Sequence, residues 1–338
     1  MRTIDNNTAF RFLLASAASG GRGELLFGDS LERVKKIIPD FLGKGDFPDI
    51  YLEFPLFGEP FLDIFLTVVA EEPYEGSYIT SPLAEDSEKI VSFIRDAHRK
   101  YREVSGGFEI DTRSSNPGQA GVLFEPRSHT ELAGGFCQAI GEPLYGKLYE
   151  EMAGRLAASW QPSYFGLFRG REGLPLRIGG YLGQEEIAPC TEDPERIERA
   201  FKAAHFTAYD DEMIGQIRDI MAISPTDVEF QFDIFPDGTT GDVFSLSTFF
   251  AIEQPRAVIT SFKEGPGREY MNLLRKWNVA DDRWEKSLDV VYAGSLPLGD
   301  VNLTFSIFPQ WIKVRWKKKK LVPAKIYLLM KAGEFSKE

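Results

Sequence analysis

The chain has 338 residues, long enough for one large domain or two ordinary ones, and its 43% hydrophobic and 27% charged content is typical of a globular protein. A formal net charge of -12 argues against nucleic acid or an anionic membrane as partners over most of the surface. No apolar run approaches the roughly 18 to 20 residues of a membrane-spanning helix. The first residues, with Asp5 and Arg11, do not resemble a signal peptide, and two cysteines form no disulfide framework, so the sequence predicts a cytoplasmic protein.

The predicted elements repeat one arrangement along the chain, a helical pattern followed by two strand-like runs. The first strand pair is Tyr51–Phe54 and Leu62–Val69, around an FGEP bend. An amphipathic helix at about Glu85–Val104 precedes the second pair, GFEIDTR and AGVLFEP, which the turn sequence SSNPG joins.

Three more strand pairs follow in the same way. Helical stretches between Thr130 and Trp160 lead to SYFGLFR and LPLRIGGYL, joined by GREG. Helices at about Pro194–Ala204 and Asp210–Ala222 precede VEFQFDIFPDGTTGDVFSLSTF, where alternating polarity around an Asp-Gly turn predicts a hairpin. A last helical stretch, at about Gly267–Leu288, precedes DVNLTFSIFPQWIKVRW and AKIYLLMK.

Five helix-plus-hairpin units without a dividing linker predict one α+β domain over residues 1–338, with the main repeats at about 51–330. About ten strands of this kind close into a barrel with helices outside and a polar lumen, or they form an open antiparallel sheet that is covered on one face. We favour the closed or nearly closed barrel, because closure removes exposed edge strands.

The strands carry polar side chains on the face opposite their apolar rows. In the quoted hairpin Phe230, Phe232 and Ile234 are expected to face helices, whereas Glu229, Gln231 and Asp233 share the other face. The charged and polar residues on this face of the strand pairs are Glu109, Asp111, Arg113, Arg169, Arg177, Glu229, Gln231, Asp233, Ser245, Ser247, Asn302, Thr304, Ser306, Lys313 and Arg315. We expect them to line an enclosed space in which a ligand binds.

This succession of units from about Tyr51 to Met330 resembles the prenyltransferase barrel, the ααββ-repeat fold of aromatic prenyltransferases, including the cyanobactin peptide prenyltransferases. The resemblance implies a lumen in which basic residues and a tyrosine shield a diphosphate while a carboxylate steers an aromatic acceptor. The residues that match the first role are Arg113, Arg177, Lys313, Arg315 and Tyr327. Glu109 or Glu229 matches the second. Glu109, Asp111, Glu229 and Asp233 make this lumen more acidic than a diphosphate cradle requires.

More faintly, the chain resembles the non-catalytic peptide-binding proteins of pathways to ribosomally made, modified peptides such as crocagins. The leading hypothesis is therefore a protein that holds a peptide or amphipathic small molecule against its polar sheet face. The alternative is an aromatic or peptide prenyltransferase that uses an allylic diphosphate. A clearly positive lumen would favour the transferase, and a neutral or acidic one would favour the binding protein.

No catalytic, metal or cofactor motif is evident in the sequence. His98, His129 and His205 lack metal-ligand spacing, Cys137 has no neighbouring base, and signatures for dinucleotides and P-loops are missing. We expect neither a metal nor a redox cofactor. The arginines of FRGREGLPLR, Arg169, Arg171 and Arg177, fit either a charged hairpin tip or a clamp for a carboxylate or phosphate. Lys317–Lys320 fits a solvated hairpin end.

Overall fold

The computed structural model describes residues 4–42, 47–68, 87–113, 120–250 and 255–336. Its helices are α1 Asn6–Ala18, α2 Ser30–Ile37, α3 Ser87–Lys100, α4 Leu132–Ala139, α5 Pro143–Leu156, α6 Gln184–Glu192, α7 Glu195–Ala203, α8 Asp211–Ile223, α9 Pro255–Glu264, α10 Pro266–Lys276 and α11 Arg283–Leu288, with a π-helical turn at Gly23–Phe27 and a 3-10 turn at Ile38–Phe41. Its strands are β1 Ile50–Pro55, β2 Asp63–Thr67, β3 Ser105–Ile110, β4 Gly121–Glu125, β5 Tyr164–Leu167, β6 Leu176–Leu182, β7 Val228–Ile234, β8 Thr240–Phe249, β9 Tyr292–Leu298, β10 Val301–Lys317 and β11 Lys320–Ser336. No helix in the described part of the chain is long and apolar enough to cross a membrane.

Ten of these strands close into an antiparallel barrel. Strands β1 to β8 follow one another around it, β10 and β11 come next, and β11 returns to β1 with Ile50 opposite Met330. The predicted closed barrel is confirmed, and the open sheet is excluded by this last pairing. The strand pairs fall where the sequence predicts them, although Val69, the start of the Glu85–Val104 helix and the SSNPG turn lie outside the described residues.

Strand β9 was not predicted, and it lies beside the barrel rather than within it. It pairs with the first half of β10, from Val301 to Ile307, whereas the second half of β10 pairs with β8. A register shift between Pro309 and Trp311 separates the two halves. A bulge is a suitable position for a proline, because its nitrogen has no hydrogen to donate to the ladder.

The predicted helical stretch over Gly267–Leu288 consists of two helices, α10 and α11. The first, α10, ends at Lys276, and Asn278 adopts a left-handed backbone conformation with φ 56°. Asparagine tolerates this conformation better than most residues and commonly ends a helix. The next helix, α11, starts five residues later and buries Trp284.

The apolar core lies between the outer face of the barrel and the helices. Phe124 of β4 stacks on Phe136 of α4, with ring centroids 4.3 Å apart. Phe230 of β7 contacts Trp160 at 5.3 Å. The prediction that Phe230 and Phe232 face the helix layer is confirmed. The alternating residues Glu229, Gln231 and Asp233 therefore face the lumen.

Candidate functional site

The lumen contains two connected cavities that the inward faces of the strands line. The first has a volume of about 350 Å³ and is mainly aromatic, and the second has a volume of about 230 Å³ and is mainly charged. Glu109, Gln231 and Lys313 line both. Because side chains alternate between the faces of a strand, the residues between those of the apolar outer row point into the lumen.

The aromatic cavity is built from rings on strands that are distant in sequence. Tyr51 of β1 lies 5.5 Å from Phe65 of β2 and 4.5 Å from Trp311 of β10, measured between ring centroids. Trp311 in turn stacks on Tyr327 of β11 at 4.7 Å. Phe249, Tyr164 and Tyr181 complete the ring-lined wall. Such a wall presents electron-rich faces that attract a cation.

Besides Glu109, the carboxylates of Glu229 and Glu125 lie in the wall of the aromatic cavity. Glu229 accepts a hydrogen bond from the Tyr164 hydroxyl at 2.5 Å. Glu125 accepts one from Ser105 at 2.5 Å and lies 2.8 Å from the Arg127 guanidinium. Burial raises the pKa of Glu125, and burial together with the Glu229 charge raises the pKa of Tyr164 well above its ordinary value. The Tyr164 hydroxyl therefore stays neutral and donates its hydrogen bond to Glu229.

Glycines on the inner face make room for two of the rings. A side chain at Gly179 would collide with the Tyr164 ring, and a Cβ at Gly121 would lie 2.5 Å from the Phe168 ring. Phe168 in turn lies under the guanidinium groups of Arg171 and Arg177, at 3.8 and 4.5 Å from the ring centroid. The glycines thus fix where the rings, and the arginines above one of them, can lie.

Among the described residues, ion pairs neutralise three of the six cations that line the charged cavity, Arg171, Arg177 and Lys325. Arg177 contacts Asp233 at 3.1 Å, and Arg171 contacts Glu109 at 2.7 Å. The Asp233 and Glu109 carboxylates raise the pKa of Arg177 against the opposing effect of burial.

A second internal group joins strands β1, β2 and β11. The Lys325 ammonium lies against Glu53 and 3.5 Å from Asp63. Burial raises the pKa of Asp63 to about 6. Burial also acts to raise the pKa of Glu53, but the Lys325 and Lys313 charges more than offset it and hold that pKa below its usual range.

Lys313 and Arg315 differ from the other cations of the lumen, the exposed Arg113 apart. They lie two residues apart on β10 and face the charged cavity, and no carboxylate of the described residues forms an ion pair with either. The Arg315 Nε is buried without a hydrogen-bond partner in this part of the chain. Burial lowers the pKa of both groups. Buried cations without a counter-ion are suited to binding an anionic ligand.

The structure brings all nine predicted site residues to the lumen. Those at the charged cavity are Glu109, Asp111, Arg113, Arg177, Asp233, Lys313 and Arg315, and those at the aromatic cavity are Glu109, Glu229, Lys313 and Tyr327. Arg113 is exposed and lies over the Phe61 ring at 3.3 Å. Whether these side chains hold a ligand stays a prediction.

Sequence reasoning missed several residues of the lumen. These are Tyr51, Glu53, Asp63, Phe65, Glu125, Arg127, Tyr164, Arg171, Tyr181, Phe249, Trp311 and Lys325. For Arg171 a signal was present in the arginine-rich hairpin turn. For Glu53 and Lys325 the signal was a single charged residue at an inward position of an otherwise apolar strand.

Acidic and basic side chains around the two cavities are equal in number. The acids are Glu53, Asp63, Glu109, Asp111, Glu125, Glu229 and Asp233, and the bases are Arg113, Arg127, Arg171, Arg177, Lys313, Arg315 and Lys325. The lumen as a whole is therefore close to neutral. Among the described residues, its cations without an ion pair are the exposed Arg113 and, deeper in the lumen, Lys313 and Arg315.

The chain has the fold of the prenyltransferase barrels. It superimposes on 5-dimethylallyltryptophan synthase from Streptomyces coelicolor with a TM-score of 0.54 and 10% identity, over 97% of this chain and 98% of that one. It superimposes on the prenyltransferase PriB in complex with L-tryptophan and dimethylallyl thiolodiphosphate with a TM-score of 0.54 and 11% identity, over 97% of this chain and 96% of that one. It superimposes on NotF in complex with brevianamide F and the same diphosphate analogue with a TM-score of 0.51 and 11% identity, over 100% of this chain and 97% of that one.

No protein-family model matches the sequence, and no curated protein matches it either. At about one identical residue in ten, the structural likeness shows the fold alone. It confirms the resemblance predicted from the repeated units.

Proposed function

We propose that the protein transfers an allylic group from its diphosphate to an aromatic acceptor. The observation that carries the proposal is the pair Lys313 and Arg315, a buried and a half-buried cation that form no ion pair among the described residues and lie beside a wall of aromatic rings. The Lys313 ammonium lies 4.9 Å from the centroid of the Tyr327 ring, which lines the aromatic cavity. A diphosphate at the cations would place its allylic carbon against the rings.

Each part of this arrangement has a role in the reaction. The allylic carbon–oxygen bond breaks, its electron pair leaves with the diphosphate oxygen, and Lys313 and Arg315 stabilise the negative charge that develops there. The faces of Tyr51, Trp311 and Tyr327 stabilise the allylic cation. A ring carbon of the acceptor attacks this cation, and the proton lost from that carbon passes to a carboxylate such as Glu229.

The structural neighbours support this reading of the site. One of them was solved with L-tryptophan and an allylic thiolodiphosphate, and another with brevianamide F and the same analogue. By analogy, we propose an indole-containing amino acid or short peptide as the acceptor.

A direct test incubates the protein with dimethylallyl or geranyl diphosphate and an indole acceptor. We expect a product heavier than the acceptor by one prenyl group, detected by mass spectrometry, with one diphosphate released per product. Arg315→Met should lower the rate by about 10- to 100-fold if one charge-assisted contact to the leaving group is lost. Lys331→Met, which removes an exposed lysine of β11, is the matched control and should leave the rate unchanged.

If the wild type forms no product with any tested pair of substrates, catalysis of this kind is refuted. Equal rates for Arg315→Met and Lys331→Met would instead refute the assignment of the anion site.

The near-neutral lumen favours a second candidate function, a non-catalytic protein that binds a peptide. Carboxylates of the barrel neutralise Arg171, Arg177 and Lys325, so these cations are paired internally and are not available to bind a diphosphate. A zwitterionic peptide would place its carboxylate at Lys313 and Arg315 and its ammonium near Glu229. Such a protein would serve a pathway to a ribosomally made, modified peptide.

Calorimetry separates the two functions. Tight binding of short aromatic peptides with no binding of geranyl diphosphate would support the peptide-binding function and contradict the transferase. Arg177→Glu and Arg315→Glu should weaken binding of the anionic group more than they lower the melting temperature.

We also propose a cytoplasmic location for the protein. Its two cysteines, Cys137 and Cys190, are free and buried, and burial raises the pKa of the Cys137 thiol to about 12, which keeps it protonated. Free thiols are ordinary in a reducing compartment. Fractionation of the producing cells, with recovery of the protein outside the cytoplasmic fraction, would contradict this.

A further inference from the structure

A cleft outside the barrel concentrates lysines on a chain whose net charge is -12. We call it the lysine cleft. It has a volume of about 520 Å³ and is lined by Asp210, Glu212, Gln216, Lys276, Trp277, Lys318, Lys319, Lys320 and Leu321. It lies between the start of α8, the end of α10 and the turn from β10 to β11. The proposed reaction in the lumen does not use it.

The turn that borders the lysine cleft has an unusual sequence for its conformation. Lys317 pairs with Lys320, so Lys318 and Lys319 form a two-residue hairpin turn with φ 50° and 71°. Glycine and asparagine are the usual residues there, because other side chains crowd the backbone when φ is positive. Two lysines in this turn keep positive charge at a cost in backbone strain. Such strain in a structure is a pointer to function.

The acidic residues of the cleft leave this charge largely free. The Asp210 carboxylate accepts a hydrogen bond from the Met213 N–H at the start of α8, and the Glu212 carboxylate accepts one from the Gln216 amide. Asp242, beside the turn, lies 4.0 Å from the Lys318 ammonium. Among the described residues no ion pair involves Lys276, Lys319 or Lys320, and all three are exposed.

The floor of the cleft offers apolar surface next to these charges. Trp277 and Leu321 are half-buried and line the cleft. Beneath them the Trp316 indole donates to Gln216 at 2.7 Å, which fixes the contact between β10 and α8. A ligand that matches both features carries several carboxylates and at least one apolar side chain.

We propose that the lysine cleft docks an acidic, extended segment of a partner protein. Its carboxylates would contact Lys276 and the turn lysines, and an apolar side chain would pack on Trp277. The charge complementarity argues for a peptide of few residues rather than a long polyphosphate chain. These lysines are confined to this cleft, and the acidic surface of the rest of the protein would repel a longer polyanion.

The test is fluorescence anisotropy with a labelled peptide of four glutamates around one phenylalanine. We compare the wild type with Lys318→Gly/Lys319→Gly, which removes both charges and relieves the strain. The matched control is Lys36→Gln/Lys147→Gln, which removes the same charge from exposed positions on α2 and α5. We expect the turn variant to bind about 5- to 10-fold more weakly, since exposed ion pairs contribute modestly, and the control to bind like the wild type.

The melting temperature distinguishes a docking role from a structural one. We expect it to stay the same or rise in the turn variant while binding falls, because glycine suits the turn better than lysine. Equal binding by the turn variant and the control would overturn the proposal. So would an absence of binding by the wild type, or tighter binding of a single-stranded oligonucleotide than of the peptide.

Discussion

Removing Lys325 tests the internal ion pairs of the barrel most sharply. The Lys325 side chain is 9% exposed, and those of Glu53 and Asp63 are each 6% exposed, so the group is almost without solvent. Lys325→Met keeps the aliphatic length but leaves two buried carboxylates facing each other. Loss of one partner from a buried pair costs about 3–5 kcal/mol, and we expect a loss of this size in the free energy of unfolding at pH 7.

The loss should depend on pH in a defined direction. Without the ammonium group, burial raises the pKa of both carboxyl groups in the folded variant above their values in the unfolded chain. The variant therefore loses stability, relative to the wild type, as pH rises from about 4 to 7, and the deficit is largest at pH 7. Urea unfolding at pH 4.5 and pH 7 measures it. Lys331→Met is the control, because the exposed Lys331 forms a pair near the surface with the half-buried Asp49, worth about 0–1 kcal/mol. A loss below 1 kcal/mol at pH 7, or the same loss at both pH values, would refute the reasoning.

Three further substitutions test the core, the glycine positions and the charged group. Phe232→Ala should lower the free energy of unfolding by about 3–5 kcal/mol in urea titrations, because the ring is only 4% exposed, whereas Phe12→Ala at a 44% exposed ring should have a small effect. Gly179→Ala should displace the Tyr164 ring and lower the free energy of unfolding by about 1–3 kcal/mol. The control is Gly154→Ala on α5, where the added methyl group meets no atom within 4 Å, and it should be neutral or stabilising. Equal stabilities of the two variants would show that the inner glycines are not required. Asp63→Asn should abolish the part of the stability that declines between about pH 4 and 6, since the raised pKa of Asp63 gives that decline; an unchanged pH profile would contradict it.

The alternation of the strands was sufficient to place the nine predicted site residues at the lumen, but Arg169, Asn302, Thr304 and Ser306, which were expected on the same face, line neither cavity. Glu229 and Asp233 are four positions apart, an even number, and each is next to a phenylalanine, Phe230 or Phe232, so burial of the phenylalanines determines the face of the acids. The same logic correctly placed Lys313 and Arg315. Closure of the barrel was inferred from the number of units, because the pairing of Ile50 with Met330 leaves no local mark in the sequence.

Partnerships inside the lumen could not be predicted in this way. Arg177 meets Asp233 because these residues are opposite each other in the register of β6 and β7, and a register is a property of the folded sheet. Glu53 was missed because its strand is buried on both faces, so the apolar residues around it hide the alternation. Strand β9 was missed because Gly294 and Pro297 are typical of turns. The residues that were missed add three acids, Glu53, Asp63 and Glu125, and three bases, Arg127, Arg171 and Lys325, so the lumen keeps the mixed charge that the sequence predicted.

The central claim is that Lys313 and Arg315 hold a diphosphate beside the aromatic cavity. Isothermal titration calorimetry of geranyl diphosphate into the wild type, Arg315→Met and Lys331→Met tests this claim without requiring the acceptor to be known. The account predicts one site per chain, an affinity at least about tenfold lower for Arg315→Met, and an unchanged affinity for Lys331→Met. Absence of binding to the wild type, or the same affinity in all three proteins, would contradict it.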